Sequence, residues 1–293
     1  MRSAESLFDD LLGRCTFPDA GTSVVCGLSG GADSSALVAL AVHAGLLVTA
    51  VHVDHGLRPD AEVDAAAARR IADTLGADFR YERAAVQDGP NLEHRARIAR
   101  RRLLGPDALT GHTADDQAET VLLALLRGSG ATGLSGMDRS VLHPILRLRR
   151  ADTLAVCAAL DLDPVTDPTN SSPRFRRNRL RLEAIPLLDD IAERDVTPLL
   201  VRAADLLGDD DRFLDQLASE LDPTDARAVA AAPRPLARRA IRAWLTVDGY
   251  PPDAASIERV LDVAAGRSAA CEINGGGRIT RTRQRLAHFR ETD

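Results

Sequence analysis

The segment VVCGLSGGADSSAL, residues 24–37, decides the fold. An apolar, β-branched run ends at Gly30 and Gly31, and an alanine- and leucine-rich stretch typical of a helix follows directly. Free backbone N–H groups and the positive end of a helix dipole meet at such a turn, so the segment predicts an anion site. Glycine lets the backbone approach a phosphate closely, and the serine hydroxyls can donate further hydrogen bonds. The residues predicted to bind a phosphate chain, called the glycine turn below, are Ser29, Gly30, Gly31, Ala32, Asp33 and Ser34.

Strand-like and helix-like stretches alternate along the first half of the chain. Strands are predicted at 22–29, 46–54, 78–84 and 108–112, and helices at 34–45, 61–76, 91–104 and 114–128. This order predicts an α/β domain whose parallel sheet is covered on both faces. After a helix at 147–162 the chain becomes mostly helical, and its tail reads as a strand, a glycine turn and a strand. We place a catalytic domain at 1–183 and a smaller, mostly helical domain at 184–293.

Composition excludes several kinds of chemistry. The sequence contains no lysine, so all 37 basic residues are arginine. A Walker-type phosphate loop and Schiff-base catalysis on a protein lysine are therefore excluded. The four cysteines show no C-x-x-C spacing, which argues against a zinc or iron–sulfur site. No apolar run approaches the ~20 residues of a membrane span, and no signal peptide is evident, so we expect a cytoplasmic protein without a membrane partner.

Asp33 has two interpretations. A carboxylate beside bound phosphates would repel them unless a divalent cation lay between, and Mg²⁺ prefers such oxygen ligands. Asp33 is therefore a candidate metal ligand and catalytic residue. The alternative is that Asp33 caps the helix that starts at Ser34, because aspartate caps helices well.

The motif SGGADS resembles the pyrophosphate-binding loop of the N-type ATP pyrophosphatases, the PP-loop superfamily. That resemblance implies an adenine-nucleotide α-hydrolase-like fold and cleavage of ATP to AMP and pyrophosphate. Three further segments, VHVDHGLR (51–58), GHTADDQAETVLLALLRGSGATGLSGM (111–137) and DPTN…RNRLR (167–181), occur in the order typical of tRNA(Ile)-lysidine synthetases. The chain is similar to the short form of that family, which lacks an additional C-terminal domain.

The family resemblance implies a ligase that modifies tRNA. ATP adenylates the C2 oxygen of the wobble cytidine in a CAU anticodon, and the amine of free L-lysine then displaces AMP. The resemblance implies that His52, Asp54, His55 and Arg58 border the nucleotide, although a surface loop also explains His55. It places His112 near the activated base.

Three acids in the first turn of a predicted helix are candidates for binding the lysine amine. Asp115 and Glu119 share a helix face, as do Asp116 and Glu119, and like-charged neighbours are destabilising unless a cation binds. One of these acids is expected to accept the proton of the attacking amine. The alternative is that they only complement the helix dipole.

An arginine run, RFRRNRLR at 174–181, is the candidate tRNA contact, because guanidinium groups bind phosphates and stack on unpaired bases. Phe175 within the run favours this interpretation over a solvated helix face. Arg127, at the head of a glycine-rich loop, is predicted to contact the α-phosphate or the target cytidine. The predicted tRNA-binding residues are Arg127, Arg174, Arg176, Arg177, Asn178, Arg179 and Arg181.

Two other functions remain as alternatives. A tRNA thiolase would share the ATP chemistry, but such enzymes usually use paired cysteines. A nucleotide-binding module without turnover would share only the fold. Where the additional C-terminal domain is absent, the helical domain or a homodimer partner would have to complete tRNA recognition.

Overall fold

The computed structural model describes residues 4–54, 61–84, 92–138, 140–165, 172–247, 250–274 and 277–289. The chain divides into two compact units, Met1–Asp205 and Leu206–Asp293. The boundary expected after residue 183 lies N-terminal to this division and stays a prediction.

The first unit is built on a parallel sheet, which confirms the predicted α/β class. Its strands are β1 (Ser23–Gly27), β2 (Leu47–Asp54) and β3 (Asp78–Arg83), in the order β1-β2-β3. The helices that begin in this unit are α1 (Ala4–Leu12), α2 (Ala32–His43), α3 (Ala61–Leu75), α4 (Leu92–Leu104), α5 (Ala114–Leu126), α6 (Ala131–Leu134), α7 (Arg150–Ala159), α8 (Arg176–Arg179), α9 (Ile185–Ala192) and α10 (Thr197–Ser219). A π-helical turn, Leu180–Ala184, joins α8 to α9, and α10 contains the division between the units.

Both faces of β2 are covered, as the sequence predicts. Side chains alternate between the two faces of a strand, so Val48 and Ala50 join the main core while Val51 packs with Leu104 of α4 on the opposite side. Helix α2 packs against α7, β1 and β2, and its residues 34–41 are all buried. The glycine turn between β1 and α2 is thereby fixed at the carboxyl edge of the sheet, where parallel sheets bind ligands.

The predicted fourth strand at 108–112 is wrong in extent. Only Leu109 pairs with the sheet, as an isolated parallel bridge to Cys26. The backbone N–H of Thr110 donates to the carbonyl of Leu142. Gly111 then packs against the start of α2 so closely that a Cβ there would lie 2.8 Å from the carbonyl oxygen of Asp33. The segment is therefore held beside the glycine turn.

The second unit combines helices with a small antiparallel sheet. Its further elements are α11 (Ala226–Ala231), α12 (Arg234–Leu245), α13 (Ala254–Ala264), β4 (Ala270–Glu272), β5 (Arg278–Thr282) and β6 (Arg285–Phe289). The sheet has three strands in the order β4-β5-β6, whereas the sequence predicted only two strands in the tail. The additional turn lies at Arg283 and Gln284, which adopt φ values of 49° and 66°. Hairpin turns of this kind normally use glycine or asparagine, so the sequence carries no signal for it. None of the described helices has the length and apolar character needed to cross a membrane.

Candidate active site

A cavity of about 600 Å³ lies at the carboxyl edge of the sheet in the first unit. The glycine turn, the end of β2, the segment around His112 and the start of α7 all contribute to its wall. Of the residues predicted from sequence, those lining the cavity are Ser29, Gly31, Ala32, Asp33, Ser34, His52, Asp54, His112, Asp116 and Arg181. His55 and Arg58 lie outside the described residues.

The glycine turn is held by hydrogen bonds among its own residues. Gly30 has a φ of 88°, a conformation that favours glycine, and its carbonyl accepts from the backbone N–H of Val165 at 2.9 Å. The hydroxyl of Ser34 donates to the carbonyl of Gly31 at 2.9 Å and accepts from the N–H of Ser29 at 3.1 Å. Helix α2 begins at Ala32 with Gly31 as its N-cap. The alternative that Asp33 caps this helix is therefore wrong.

Asp33 is bound by two residues of α7 that sequence reasoning missed. The hydroxyl of Thr153 donates to Oδ1 of Asp33 at 2.6 Å, and the guanidinium of Arg150 lies 3.4 Å from Oδ2. Burial raises the pKa of Asp33, and the hydrogen bond from Thr153 and the charge of Arg150 oppose that rise. Arg150 is the last residue of the basic stretch RLRR, residues 147–150, which is the only sequence signal that a cation lies here.

His52 and Asp54 are buried at the end of β2. Nδ1 of His52 lies 2.9 Å from the carbonyl oxygen of Leu28, which can only accept, so Nδ1 carries the proton. The carboxylate of Asp54 accepts from the hydroxyl of Tyr81 at 2.8 Å. These bonds hold both side chains rigidly at the wall of the cavity.

His112 lies in a polar cluster with Thr110 and His143, a second histidine that sequence reasoning missed. The hydroxyl of Thr110 lies 2.9 Å from Nδ1 of His112 and 2.7 Å from Nδ1 of His143. The two rings meet edge to face, with centroids 5.0 Å apart. Burial lowers the pKa of His112 from 6.5 to about 4, opposed by the charge of Asp116. His112 is therefore neutral at pH 7.

Acidification is expected to destabilise the protein through His112. The unfolded chain, with a pKa of 6.5, binds a proton at higher pH than the folded chain, with a pKa of about 4. The free energy of unfolding therefore falls as the pH drops from 6.5 towards 4, and the contribution is complete above 6.5. Urea unfolding at a series of pH values should show a shallower fall for His112→Asn than for the wild type. The exposed His43, replaced by asparagine, is the matched control, and a slope for His112→Asn equal to that of the wild type would contradict neutral burial.

Asp115 and Asp116 have different surroundings although they are adjacent. Asp115 does not line the cavity: its carboxylate accepts from the guanidinium of Arg149 at 3.0 Å and from the backbone N–H of Arg150 at 2.8 Å. Asp116 does line it. One of its carboxylate oxygens accepts from the N–H of Thr113 at 2.9 Å, and the other lies 3.7 Å from the guanidinium of Arg181. The geometry thus ties Asp115 to the start of α7 and leaves Asp116 facing the cavity.

Glu119 is fully buried, and two arginines of the predicted tRNA run bind it. Nε of Arg177 lies 2.8 Å from Oε2 of Glu119, and Nε of Arg181 lies 2.6 Å from Oε1. Burial raises the pKa of Glu119, opposed first by Arg181 and then by Arg177. Arg177 also donates to the hydroxyl of Thr120 at 3.0 Å. Neither carboxylate oxygen of Glu119 is free to bind another cation while both arginines stay in place.

The other residues of the arginine run lie nearer the surface. Arg174, Phe175 and Arg176 are exposed, and Arg179 pairs with Glu183 at 2.8 Å. The side-chain amide of Asn178 donates to the carbonyl of Ser172 at 2.9 Å. Arg127, at the end of α5, is also exposed.

Gln117, which sequence reasoning missed, organises the glycine-rich loop after α6. Its amide group donates to the carbonyls of Ser135 and Met137, each at 3.1 Å, and accepts from the N–H of Met137 at 2.8 Å. Gly136 has a φ of 67°, and a Cβ there would lie 2.6 Å from Oε1 of Gln117. A buried polar group saturated in this way fixes the loop beside α5.

The parallel sheet, the glycine turn at its carboxyl edge and the cavity beside that turn define a PP-loop protein. The family described as PP-loop domain matches residues 4–188, and that described as TilS substrate binding domain matches residues 225–287. The chain belongs to the tRNA(Ile)-lysidine synthase family.

Curated relatives support this assignment over most of their length. The tRNA(Ile)-lysidine synthase of Nocardia farcinica is 44% identical over 278 residues, which cover 89% of this chain and 87% of the relative. That of Mycolicibacterium paratuberculosis is 44% identical over 238 residues, 76% of this chain and 74% of the relative. Among solved structures, the U34-tRNA thiolase NcsA from Methanococcus maripaludis matches with a TM-score of 0.53 at 18% identity, covering 70% of this chain and 78% of that one. This last similarity concerns the fold alone.

Proposed function

We propose that this protein joins L-lysine to C2 of the wobble cytidine of tRNA(Ile) with a CAU anticodon, using ATP and releasing AMP and pyrophosphate. Family membership supports the substrate. One structural observation carries the chemistry: a single cavity is lined by the glycine turn, by His112 and by the carboxylate of Asp116. A site that adenylates a base and then adds an amine to it needs an anion-binding turn and an amine-binding acid within reach of each other.

The glycine turn, residues 29–34, is proposed to bind the phosphates of ATP, with Arg150 adding positive charge. His52 and Asp54 border the nucleotide, and we keep the prediction that His55 and Arg58 do the same. Asp33 suits Mg²⁺ that arrives with the nucleotide, because Mg²⁺ often combines one carboxylate with substrate phosphates. No group of three or more histidine, cysteine, aspartate or glutamate side chains in the described ranges could hold a metal ion by itself. When bound, the ion would neutralise charge on the leaving pyrophosphate.

The reaction proceeds in two displacements. The C2 oxygen of cytidine attacks the α-phosphorus, and pyrophosphate leaves. The lysine amine then attacks C2, the C2–O bond breaks, and AMP leaves with that oxygen. The protein orients the reactants, excludes water and accepts the proton that the amine loses.

Asp116 is proposed to hold the lysine amine, because its carboxylate lines the cavity. One oxygen accepts from the N–H of Thr113, and the other lies 3.7 Å from the guanidinium of Arg181, beyond hydrogen-bond distance. Asp115 and Glu119 stay predictions for lysine binding. Their carboxylates are occupied by arginines, so Glu119 would reach lysine only if Arg177 or Arg181 moved.

The exposed tip of the arginine run, Arg174 to Arg176 with Phe175 between, is proposed to contact the anticodon loop together with Arg127. Guanidinium groups bind the phosphates, and Phe175 offers a surface for stacking an unpaired base. Arg179 and Asn178 are proposed to flank this contact. Residues 1–183 would form the catalytic domain and 184–293 the tRNA-contacting domain, in a cytoplasmic enzyme with a homodimer partner as a further candidate.

Replacing both Arg174 and Arg176 with glutamine is expected to weaken tRNA binding and to reduce its salt dependence. Each phosphate contact on a single-stranded segment contributes roughly 0.7 to the slope of log K against log[salt], so the slope should fall by about 1.4. Fluorescence anisotropy with labelled tRNA across a salt series measures it. Arg69→Gln, which removes an arginine that lies 4.6 Å from the ring of Phe79, is the control. An unchanged slope in the double variant would indicate that both arginines are solvated and do not contact tRNA.

The thiolase alternative is not favoured. None of the four cysteines lines the cavity, and burial raises the pKa of Cys26 to about 12 and that of Cys157 to about 11. Thiols of that kind stay protonated and unreactive at pH 7.

The proposed function is tested by incubating the protein with ATP, labelled lysine and unmodified tRNA(Ile) of CAU anticodon. We expect lysine in the tRNA together with AMP. The matched control is the same tRNA with a UAU anticodon, which lacks the target cytidine. ATP binding without turnover would favour the nucleotide-binding module instead.

A further inference from the structure

The cluster of Thr110, His112 and His143 determines which nitrogen of His112 carries a proton. A threonine hydroxyl has one hydrogen and two lone pairs. The hydroxyl of Thr110 lies 3.2 Å from the carbonyl oxygen of Leu142, which can only accept. If the hydrogen goes to that carbonyl, both lone pairs are left to accept, and the Nδ1 atoms of His112 and His143 lie at 2.9 and 2.7 Å. Both imidazoles are then protonated at Nδ1.

In this arrangement His112, which lines the cavity, has its acceptor lone pair on Nε2. The ring is neutral because it is buried, so a proton on Nδ1 leaves a lone pair on Nε2. The charge of Asp116 on α5, which lines the same cavity, raises the pKa of His112. The charges of Arg177 on α8 and Arg100 on α4 lower it. An amine held by Asp116 would therefore lie beside an uncharged proton acceptor.

We propose that His143 is a positioning residue which, through the hydroxyl of Thr110, fixes His112 in the Nδ1–H tautomer, so that Nε2 of His112 accepts the proton of the attacking lysine amine. This inference rests on the proposed function. In the step concerned, the bond from the amine nitrogen to C2 forms and the C2–O bond breaks, with its electron pair leaving on AMP. The proton passes from the amine nitrogen to Nε2 of His112.

His143 is needed because the hydroxyl of Thr110 has an alternative orientation. Were the hydroxyl to donate to Nδ1 of His112, the ring would carry its proton on Nε2 and could accept nothing from the amine. With the Nδ1–H of His143 on one lone pair, donation to Leu142 gives the hydroxyl three hydrogen bonds, whereas donation to His112 leaves the second lone pair without a donor. His143 itself does not line the cavity, so it acts on the substrate only through the hydrogen bonds that link it to His112 by way of Thr110.

The tautomer is measured directly by ¹⁵N NMR of the histidine side chains in the full chain, with the His112 signals assigned from their loss in His112→Asn. The wild type should show a protonated Nδ1 and a bare Nε2 on His112. His143→Phe and Thr110→Val should shift the proton towards Nε2. His143→Asn, whose amide nitrogen replaces the Nδ1–H donor, and Thr110→Ser should retain the wild-type pattern.

Rapid-quench kinetics give a second measurement. In His143→Phe, adenylated tRNA should accumulate and lysine transfer should slow by ~10²-fold, the scale of one general-base contribution. Pyrophosphate release should keep its wild-type rate, and His143→Asn should recover most of the transfer rate. His43→Asn, which removes an exposed histidine that stacks on Phe8, is the matched control.

A wild-type His112 protonated on Nε2 would overturn the inference, as would a His143→Phe variant that slows both half-reactions equally or neither. The NMR result needs no turnover. A wild type that incorporates no lysine would instead remove the proposed function, so the two failures are distinguishable.

Discussion

Replacing Asp33 with asparagine is expected to lower the rate of AMP formation by about 10²–10³-fold, the range found when one group that stabilises developing charge is removed. Asparagine has nearly the same shape and can still accept from the hydroxyl of Thr153. What is lost is the negative charge on the glycine turn, which would hold a cation against the phosphates. AMP and pyrophosphate formation at saturating tRNA(Ile) and lysine measures the effect.

The affinity for ATP should respond differently from the rate. Arg150 pairs with Asp33 at 3.4 Å, and the variant releases this guanidinium to bind phosphate. We therefore expect kcat to fall while KM for ATP stays constant or decreases. Asp161→Asn is the matched control, because Asp161 lies beyond α7 at a φ of 51° that asparagine tolerates well. Activity of Asp33→Asn within a few-fold of the wild type would reduce Asp33 to an anchor for α7.

Replacing Glu119 with alanine is expected to lower the free energy of unfolding by about 3 kcal/mol. Removing one partner of a buried ion pair costs about 3–5 kcal/mol, and the lower end applies because Arg177 and Arg181 keep 35% and 28% of their side chains exposed. The substitution leaves two guanidinium groups side by side without their carboxylate. Urea denaturation at neutral pH measures the loss.

Glu183→Ala is the matched control for this prediction. It removes a carboxylate that pairs with Arg179 on the surface, and an exposed i,i+4 pair contributes little to stability because solvent screens it. Replacing Glu119, Arg177 and Arg181 together with leucine or methionine should recover much of the stability, because the unpaired charges disappear with the pair. A Glu119→Ala variant no less stable than Glu183→Ala would contradict the prediction that the buried ion pairs of Glu119 stabilise the fold.

Local signals in the sequence account for most of the first unit. The β-branched run before Gly30 and the small residues after it predict β1, the glycine turn and α2, because each depends on neighbours in the chain. Leu109 shows the limit of such signals. Its segment reads as a strand, yet the close approach of Gly111 to α2 ends the pairing after one residue. That contact has no local signature.

The arginine run shows why charge patterns do not identify partners. Arg177 and Arg181 were predicted to bind tRNA and Glu119 to bind lysine, but these three side chains bind one another across 58 and 62 residues. Asp115 and Arg149 pair likewise across 34 residues. A sequence shows that charges are present, whereas only the fold shows which of them are already neutralised and which still face the cavity.

The central claim is that the glycine turn presents the α-phosphorus of ATP to the C2 oxygen of cytidine. The origin of the oxygen in the released AMP tests this claim most directly. The reaction should be run in H₂¹⁸O with tRNA(Ile), lysine and ATP, and the nucleotide product analysed by mass spectrometry. If the claim holds, the product is AMP without ¹⁸O, because its additional oxygen comes from the tRNA. AMP carrying one ¹⁸O would mean that water attacks the α-phosphorus, and ADP would mean that the terminal phosphate is the one transferred; either result contradicts the account.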